Sequence, residues 1–213
     1  MQIQLLEIIP TYFEKSVITE SEIWGRKVVF NQGEHVHIIA PSGSGKTSLI
    51  HFIYGMRKDY EGRILYDETN IRDLTLETFS TYRQKNISII FQDLRLFADQ
   101  TVRNNLELKR QLNPYHPPQK IDEMAMALGI QDKLGRTART CSYGEQQRIA
   151  IIRSLLQPFN FILLDEPFSH LDDANRLKAF ELIKSECELR NASMLFADLK
   201  ELEFFTNEKR LRL

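Results

Sequence analysis

The sequence predicts an α/β domain, and three observations indicate this fold class. The first third of the chain is rich in strand patterns, and strands then alternate with helices. The apolar run Val36–Ile39 leads into the glycine-rich loop Ala40–Ser48, and a helical pattern follows at once. A second apolar run, Phe161–Leu164, has the length of a fully buried strand and ends at two carboxylates. We therefore expect a central parallel sheet with ligand groups at its carboxyl edge.

Length, charge and cysteine content limit the class of protein. The 213 residues suit one domain, 1–213, or a domain with an inserted subdomain. The 28 basic and 29 acidic residues leave a net charge of -1, which gives no reason to expect nucleic acid as a partner. Two cysteines and no secretory pattern at the start favour the cytosol. Because no apolar run approaches the roughly 20 residues of a spanning helix, membrane association would need a partner.

The first half of the chain is predicted to contain most of the strands. The turn Asn31–Glu34 feeds the second strand into the strand before the glycine-rich loop, and Asp59–Gly62 forms another turn. The predicted elements are strands Ile3–Ile9, Lys27–Phe30, Val36–Ile39, Arg63–Tyr66 and Asn86–Phe91, and a helix Thr47–Tyr54.

The second half is predicted to be mainly helical. Val102–Gly135 has a helical pattern, which the prolines of Asn113–Pro118 interrupt because proline blocks helix continuation. An apolar helical face follows this interruption and ends near Gly129. The other predicted elements are helices Glu145–Leu156 and Ala174–Leu189 and strands Phe161–Leu164, Met194–Phe196 and Arg210–Leu213.

The glycine-rich loop has the chemistry of a phosphate-binding loop. Its backbone N–H groups can surround a polyphosphate, and the helix that follows directs its positive end at the same anion. Lys46 supplies a fixed charge, and Thr47 supplies a hydroxyl for Mg²⁺. Ala40 stands where the usual pattern has its first glycine, which is tolerable unless the position needs a positive φ. The candidate nucleotide contacts are Ser42, Gly43, Ser44, Gly45, Lys46, Thr47 and Ser48.

Carboxylates follow the second buried strand at the sheet edge where ligands bind. Asp165 can hold Mg²⁺ through water, and Glu166 can polarise the water that attacks a γ-phosphate. Alone, Asp-Glu-Pro could equally be an ordinary acidic turn, so the interpretation depends on the upstream loop. Gln92 follows another strand, and its amide can ligate Mg²⁺ or hold water, although a lone glutamine is most often merely solvated.

The stretch Cys141–Arg148 makes the function more specific. Together with Gln92, Asp165–Pro167 and Ser169–Asp172, it resembles the nucleotide-binding subunit of ATP-binding cassette (ABC) transporters, in motif order and spacing over essentially the whole chain. The segment Thr101–Leu106 looks most like the subfamily of lipoprotein release, macrolide export and cell division. The resemblance implies a P-loop NTPase (RecA-like) core, an N-terminal antiparallel β subdomain and an inserted α-helical subdomain, 94–140.

The resemblance also implies a mechanism with ATP and Mg²⁺ as cofactors. Two subunits, identical or different, would close head to tail, and Ser142 and Gly144 of one would contact the γ-phosphate held by the other, with Glu145 as a further candidate nucleotide contact. Ser142 could equally be a plain helix cap, and both can be true. Asp172 looks like the residue that links the two sites. Gln92 is similar to the residue that couples nucleotide state to a membrane permease, on whose cytoplasmic face the subunit would sit. Tyr12 is the candidate for stacking on adenine, with Phe13 or core packing as alternatives.

Three further positions depart from the family pattern. Cys141 replaces a usual leucine, and Tyr143 replaces a usual glycine, so that a ring could crowd the dimer interface. Leu199 stands where a histidine is expected, and the polar residue Asp198 directly precedes it. Two functional classes therefore stay open: an ATPase that drives a permease, and a slowly hydrolysing, nucleotide-dependent scaffold. A phosphoryl-transfer kinase is disfavoured because the chain lacks a separate acceptor-binding domain.

Overall fold

The computed structural model describes residues 1–13, 20–201 and 209–213. These residues form two sheets and the helices that cover them. The strands are β1 Gln2–Pro10, β2 Lys27–Asn31, β3 His35–Ile39, β4 Tyr60–Tyr66, β5 Thr69–Asn70, β6 Ile87–Ile90, β7 Phe161–Asp165, β8 Ser193–Asp198 and β9 Lys209–Arg212. The α-helices are α1 Lys46–Ile53, α2 Leu76–Lys85, α3 Val102–Leu112, α4 Gln119–Ala127, α5 Tyr143–Leu155 and α6 Asp173–Arg190, and two 3₁₀ turns span Gln131–Lys133 and Ala138–Thr140.

The first sheet is antiparallel, with strand order β2-β1-β4-β5. The predicted turn Asp59–Gly62 is wrong, because β4 already begins at Tyr60 and pairs there with Pro10 of β1. Gly62 lies opposite a bulge in β1, where a Cβ would come within 2.5 Å of the carbonyl oxygens of Leu6 and Glu7. The glycine is therefore required by the close approach of two strands and not by a turn.

The second sheet is parallel, with strand order β6-β7-β8-β3-β9, and confirms the predicted fold class. Because successive side chains of a strand point to opposite faces, β7 contributes to two separate cores. Phe161 and Leu163 pack with α1 and the antiparallel sheet, whereas Ile162 and Leu164 pack with α5 and α6. The sheet is thus buried on both faces, as a continuous apolar run predicts.

From 94 to 140 the chain forms helices and 3₁₀ turns and adds no strand to either sheet. Val102 and Arg103 donate backbone hydrogen bonds to the carbonyls of Arg136 and Leu134, so the two ends of this helical segment lie together. Its apolar side chains pack in one cluster with α5; they include Val102, Leu106, Ile121, Met124, Leu128 and Leu134. The proline-rich interruption separates α3 from α4 where the sequence predicts it.

A buried charged cluster joins the helical segment to α6. His116 Nε2 lies 2.8 Å from Glu186 Oε2, and Arg190 Nη2 lies 2.5 Å from the same carboxylate oxygen. Arg190 also donates to the carbonyls of Leu155 and Gln157, each at 2.9 Å. Burial alone would raise the pKa of Glu186, but the hydrogen bond from His116 and the charge of Arg190 hold it below its ordinary value. The cluster therefore keeps a carboxylate charged inside the protein.

The helix α2 is absent from the sequence-based predictions, and its packing explains why. None of its residues is fully buried, and its apolar face is reduced to Phe79 and Tyr82, which are partly buried against the core, so the stripe by which an amphipathic helix is recognised is weak. It is defined instead by its first residues, because the Thr75 hydroxyl accepts a hydrogen bond from the Thr78 amide.

The two cysteines are buried and are not joined by a disulfide. Cys141 lies between the helical segment and α5, within the core that both share. Burial raises the pKa of its thiol. Cys187 is fully buried on α6.

Candidate nucleotide-binding site

The glycine-rich loop connects the end of β3 to the start of α1. Gly43 and Gly45 have φ of +84° and +90°, which glycine adopts without steric cost. A Cβ on Gly45 would lie 2.6 Å from the Phe13 ring and 3.0 Å from the Trp24 ring. Ala40 has no positive φ, and its amide donates to the Asp198 carbonyl at 2.9 Å. An alanine therefore fits where the family pattern has glycine.

Trp24 supports the loop, a role that no sequence pattern indicates. Its ring is fully buried, and its indole Nε1 donates to the Ser44 carbonyl at 3.0 Å. The Phe13 ring packs edge-on against it, with centroids 5.7 Å apart. This contact fixes the curvature of the loop, and only the rarity of tryptophan in the chain could have drawn attention to it.

Lys46 and Glu166 form an ion pair inside the site. Lys46 is 6% exposed, and its Nζ lies 2.7 Å from Glu166 Oε1. Glu166 has a φ of +47°, a left-handed conformation that is strained for an L-residue. Its amide donates to the Ala197 carbonyl at 3.0 Å, which holds the residue at the end of β7. The predicted phosphate anchor and the predicted base are thus in direct contact.

The residues proposed as metal ligands form an oxygen-donor set. Asp165 is almost fully buried, and neither carboxylate oxygen accepts a hydrogen bond of good geometry, although Thr47 lies near enough to act on its pKa. Burial raises the pKa of Asp165 to about 6. A buried carboxylate with open lone pairs beside a hydroxyl suits Mg²⁺, which prefers oxygen ligands. Thr47, Asp165 and the nearby Gln92 amide therefore fit the ion predicted from the sequence.

Thr47 and Gln92, but not Asp165, line a cavity of about 430 Å³. Its lining combines the loop with Gln92, Glu166 and the Tyr12–Phe13 pair. Tyr12 is half exposed, and its hydroxyl lies 2.5 Å from Ser48 Oγ. Arg57 also donates to Ser48 Oγ, at 2.9 Å, and its guanidinium lies 5.1 Å from the centre of the Tyr12 ring. Arg57 therefore adds a cation at the mouth of the cavity, and no sequence pattern predicts this contribution.

The signature stretch begins α5 with a complete capping box. The Glu145 amide donates to Ser142 Oγ at 3.3 Å, and the Ser142 amide donates to Glu145 Oε2 at 2.7 Å. This confirms the cap that the sequence predicts. A Cβ on Gly144 would lie 3.0 Å from the His170 carbonyl oxygen, so the helix start and the loop after β7 meet closely there.

Gln147 connects the signature helix to the loop that carries Glu166. Its amide nitrogen lies 3.3 Å from the Glu166 carbonyl oxygen and 3.4 Å from Ser169 Oγ, and its Oε1 accepts from the His170 amide at 3.1 Å. Asp172 caps α6 by accepting from the Asn175 amide at 2.8 Å. Gln147 belongs to the signature stretch Cys141–Arg148, but the sequence assigns it no role, and its contacts are visible only in the folded protein.

The structure brings together only part of the predicted site within one chain. Tyr12, the loop, Gln92 and Glu166 line one cavity, and Asp165 lies beside Thr47. The other predicted contacts do not line that cavity; they are Ser142, Gly144, Glu145 and Asp172.

Leu199 directly follows the last residue of β8 and is 43% exposed. Its amide donates to Asp198 Oδ1 at 2.6 Å. Burial raises the pKa of Asp198. Residues 202–208, which make up most of the remaining chain, lie outside the described residues. The alignment of Leu199 with the family's histidine also rests on that stretch.

A parallel sheet with a phosphate-loop geometry at its carboxyl edge is the arrangement of a nucleoside-triphosphate-binding domain. Residues 25–169 match the ABC transporter family, so the chain belongs to that family. The ATP-binding subunits of this family bind and hydrolyse ATP. Membership of the family therefore confirms the prediction that this chain is an ATPase.

Relatives of this chain are ATP-binding proteins of import systems. The chain is 36% identical over 168 residues to the thiamine import ATP-binding protein ThiQ of Haemophilus influenzae, covering 78% of this chain and 75% of that protein. It is 31% identical over 198 residues to the aliphatic sulfonates import ATP-binding protein SsuB of Bacillus cereus, covering 92% of this chain and 75% of that protein. These relatives do not support the predicted subfamily of lipoprotein release, macrolide export and cell division.

Solved structures share the fold. An ATP-binding cassette solved as a dimer in a post-hydrolysis state with ADP and Pi matches with a TM-score of 0.80 at 23% identity, covering 93% of this chain and 88% of that chain. A second dimeric cassette matches with a TM-score of 0.78 at 24% identity, covering 99% of this chain and 94% of that chain. In residues 1–13, 20–201 and 209–213, no helix has the length and apolar composition to cross a membrane.

Proposed function

We propose that this chain is the ATP-hydrolysing subunit of an ABC importer and that it works as a head-to-tail dimer closed by Mg-ATP. This proposal rests on the observation that the predicted contacts of one nucleotide lie in two separate places within one chain. The capped turn at Ser142 and Gly144 lies outside the cavity that contains Lys46 and Glu166 in the same chain. A second subunit would supply it across the interface.

The Lys46–Glu166 ion pair suggests how binding leads to hydrolysis. The β- and γ-phosphate oxygens compete with Glu166 for Lys46, so ATP binding exchanges one anionic partner of the lysine for another. The released carboxylate can then accept a proton from the attacking water. Thr47, Asp165 and Gln92 would hold Mg²⁺, which would neutralise charge on the phosphates when bound.

Adenine would stack beside the loop. Tyr12 offers a half-exposed ring at the cavity, whereas the Phe13 ring is engaged with Trp24. This difference favours Tyr12, although its hydroxyl contact with Ser48 ties the ring down in the present arrangement. Asp172, at the start of α6, is proposed to contact the second subunit.

A permease would be the membrane partner, and the subunit would sit on its cytoplasmic face. A cleft of about 360 Å³ lies between the helical segment and the core, with Phe91, Phe97 and Leu108 among its apolar walls. Phe91 in its wall directly precedes Gln92, which lines the nucleotide cavity. Related importers carry thiamine, sulfonates or molybdate and tungstate, so this likeness supports import without naming one cargo.

A nucleotide-dependent scaffold is the second candidate, and Leu199 is the observation that favours it. Leucine offers no donor to the phosphate where the family pattern has histidine. ATP turnover and ATP-induced dimerisation, measured on the same preparation, separate the two functions. Turnover together with dimerisation supports the motor. Dimerisation with negligible turnover, even with a permease present, would support the scaffold.

A further inference from the structure

The segment that connects β6 to the helical segment has a strained backbone. Leu94 and Arg95 are consecutive and have φ of +56° and +49°. The left-handed region crowds the Cβ of an L-residue against its own backbone, so non-glycine residues adopt it singly and seldom in pairs. Leu94 is buried. Such a conformation persists only when surrounding contacts determine it.

Two side chains of α5 provide these contacts. The Arg153 guanidinium donates from Nη2 to the Leu94 carbonyl and from Nη1 to the Arg95 carbonyl, each at 2.6 Å. At the other end of the helix, the Tyr143 hydroxyl donates to the Gln92 carbonyl at 3.3 Å. The Tyr143 ring is itself held against His170, with centroids 4.1 Å apart.

Arg153 is partly buried, and its bond to the Leu94 carbonyl is partly shielded from water, whereas its bond to the Arg95 carbonyl is exposed. Burial lowers the pKa of its guanidinium to about 10, and Asp93 is the carboxylate that counteracts this effect. Asp93 is already paired with Arg95, whose Nε lies 3.0 Å from Asp93 Oδ1. Hydrogen bonds from a charged donor are stronger than neutral ones, and the guanidinium makes two of them at once, so Arg153 is able to hold the two carbonyls in this arrangement.

The held segment ends at the nucleotide cavity. Only Asp93 separates Gln92 from the strained pair, and Gln92 lines the cavity together with Lys46 and Glu166. The backbone direction at Leu94 and Arg95 therefore determines where Gln92 can place its amide. We propose that Arg153, assisted by Tyr143, is a positioning residue that maintains the left-handed turn at Leu94–Arg95 and thereby fixes Gln92 at the nucleotide. This inference rests on the proposed function only for the role given to Gln92.

Arg153→Met tests the proposal in the isolated full-length subunit, because methionine has no donor. Hydrogen exchange at the amides of Leu94 and Arg95, which donate to the carbonyls of Phe91 and Asp93, should become at least about tenfold faster. Turnover should fall by about tenfold while KM for ATP changes less than about threefold, since the loop is untouched. Arg139→Met, at an exposed arginine, is the matched control and should change neither quantity.

A second substitution separates positioning from simple packing. Combined with Arg153→Met, Arg95→Gly should restore part of kcat because glycine adopts a positive φ freely, whereas Arg95→Ala removes nearly the same side chain and should not. A purely structural arginine would show no difference between glycine and alanine. If Arg153→Met fails to fold, Arg153→Lys, which keeps the charge and loses the two-pronged donor, takes its place.

Unchanged exchange at Leu94 and Arg95 would overturn the proposal whatever the activity. Faster exchange with unchanged kcat, while Gln92→Ala lowers kcat, would also overturn it. If neither Arg153→Met nor Gln92→Ala changes kcat, the role of Gln92 in the proposed function is wrong, and the faster exchange still supports the hold of Arg153 on the turn.

Discussion

Lys46 and Glu166 give the clearest prediction at the scale of single residues. Lys46→Ala should lower ATP affinity at least tenfold, about 1.4 kcal/mol, because it removes the charge nearest the phosphates and leaves Glu166 unpaired beside them. Calorimetric titration with Mg-ATP measures this loss. Lys58→Ala, at an exposed lysine, is the control and should bind as wild type does. A loss smaller than tenfold would mean that Lys46 does not anchor the triphosphate.

Leu199→His should raise turnover if the missing histidine limits hydrolysis. One positioned donor at a phosphate or oxyanion site is worth on the order of 10²–10³ in rate. Leu199 is partly exposed at the end of β8, so a larger polar side chain has room there. Steady-state turnover at saturating Mg-ATP is measured against Leu199→Ala, which shortens the side chain without adding a donor. A fast wild-type rate that histidine leaves unchanged would show that this position does not matter.

Sequence patterns identified the site residues whose chemistry is local. The loop, Asp165 and Glu166 each follow an apolar strand directly, so their placement needs only the topology of a parallel sheet. Trp24, Arg57 and Gln147 act through contacts with distant parts of the chain. No spacing rule relates such residues to the loop, and their roles are visible only in the folded protein.

The cluster around Glu186 gives a prediction at the scale of elements, because it joins the helical segment to α6. Glu186→Gln should lower the free energy of unfolding by about 3–5 kcal/mol, since it leaves Arg190 buried without its counter-charge. Urea denaturation measures the change. Glu188→Gln, at an exposed position two residues further along α6, should have little effect. Equal stability of both variants would show that the cluster does not hold the elements together.

The same cluster predicts a dependence on pH. The pKa of Glu186 is lowered in the folded protein, so its stabilisation is present above the pKa of the unfolded state, about 4.3, and is lost as the pH falls through the folded pKa. The difference in unfolding free energy between wild type and Glu186→Gln should therefore narrow below about pH 4. A difference that stays constant down to pH 3 would contradict the lowered pKa.

The elements that sequence patterns missed are those without an apolar signature. Helix α2 fully buries none of its residues, and β5 consists of two residues. Glycine most often marks turns, so the sequence predicts a turn at Gly62. In the structure this glycine instead permits two strands to approach closely at a bulge. Tertiary contact thus overrode a correct local propensity.

Glu166→Gln provides the prediction for the whole molecule. Glutamine keeps the size and hydrogen bonding of the side chain but cannot accept the proton, so binding should survive while turnover stops. The variant should elute as a dimer with Mg-ATP in size-exclusion chromatography. Glu181→Gln, on the exposed face of α6, should behave as wild type. A Glu166→Gln monomer that still binds ATP tightly would contradict a site shared between two subunits.

The burial of both native cysteines makes the chain well suited to thiol-labelling experiments. A reagent such as a maleimide reacts with thiolates, and Cys141 is shielded while burial also raises its pKa. Cysteines introduced at exposed positions would thus carry fluorophores or spin labels over a low background. Because Cys141 lies where the helical segment meets α5, slow modification of this thiol would report separation of those two parts during the ATP cycle.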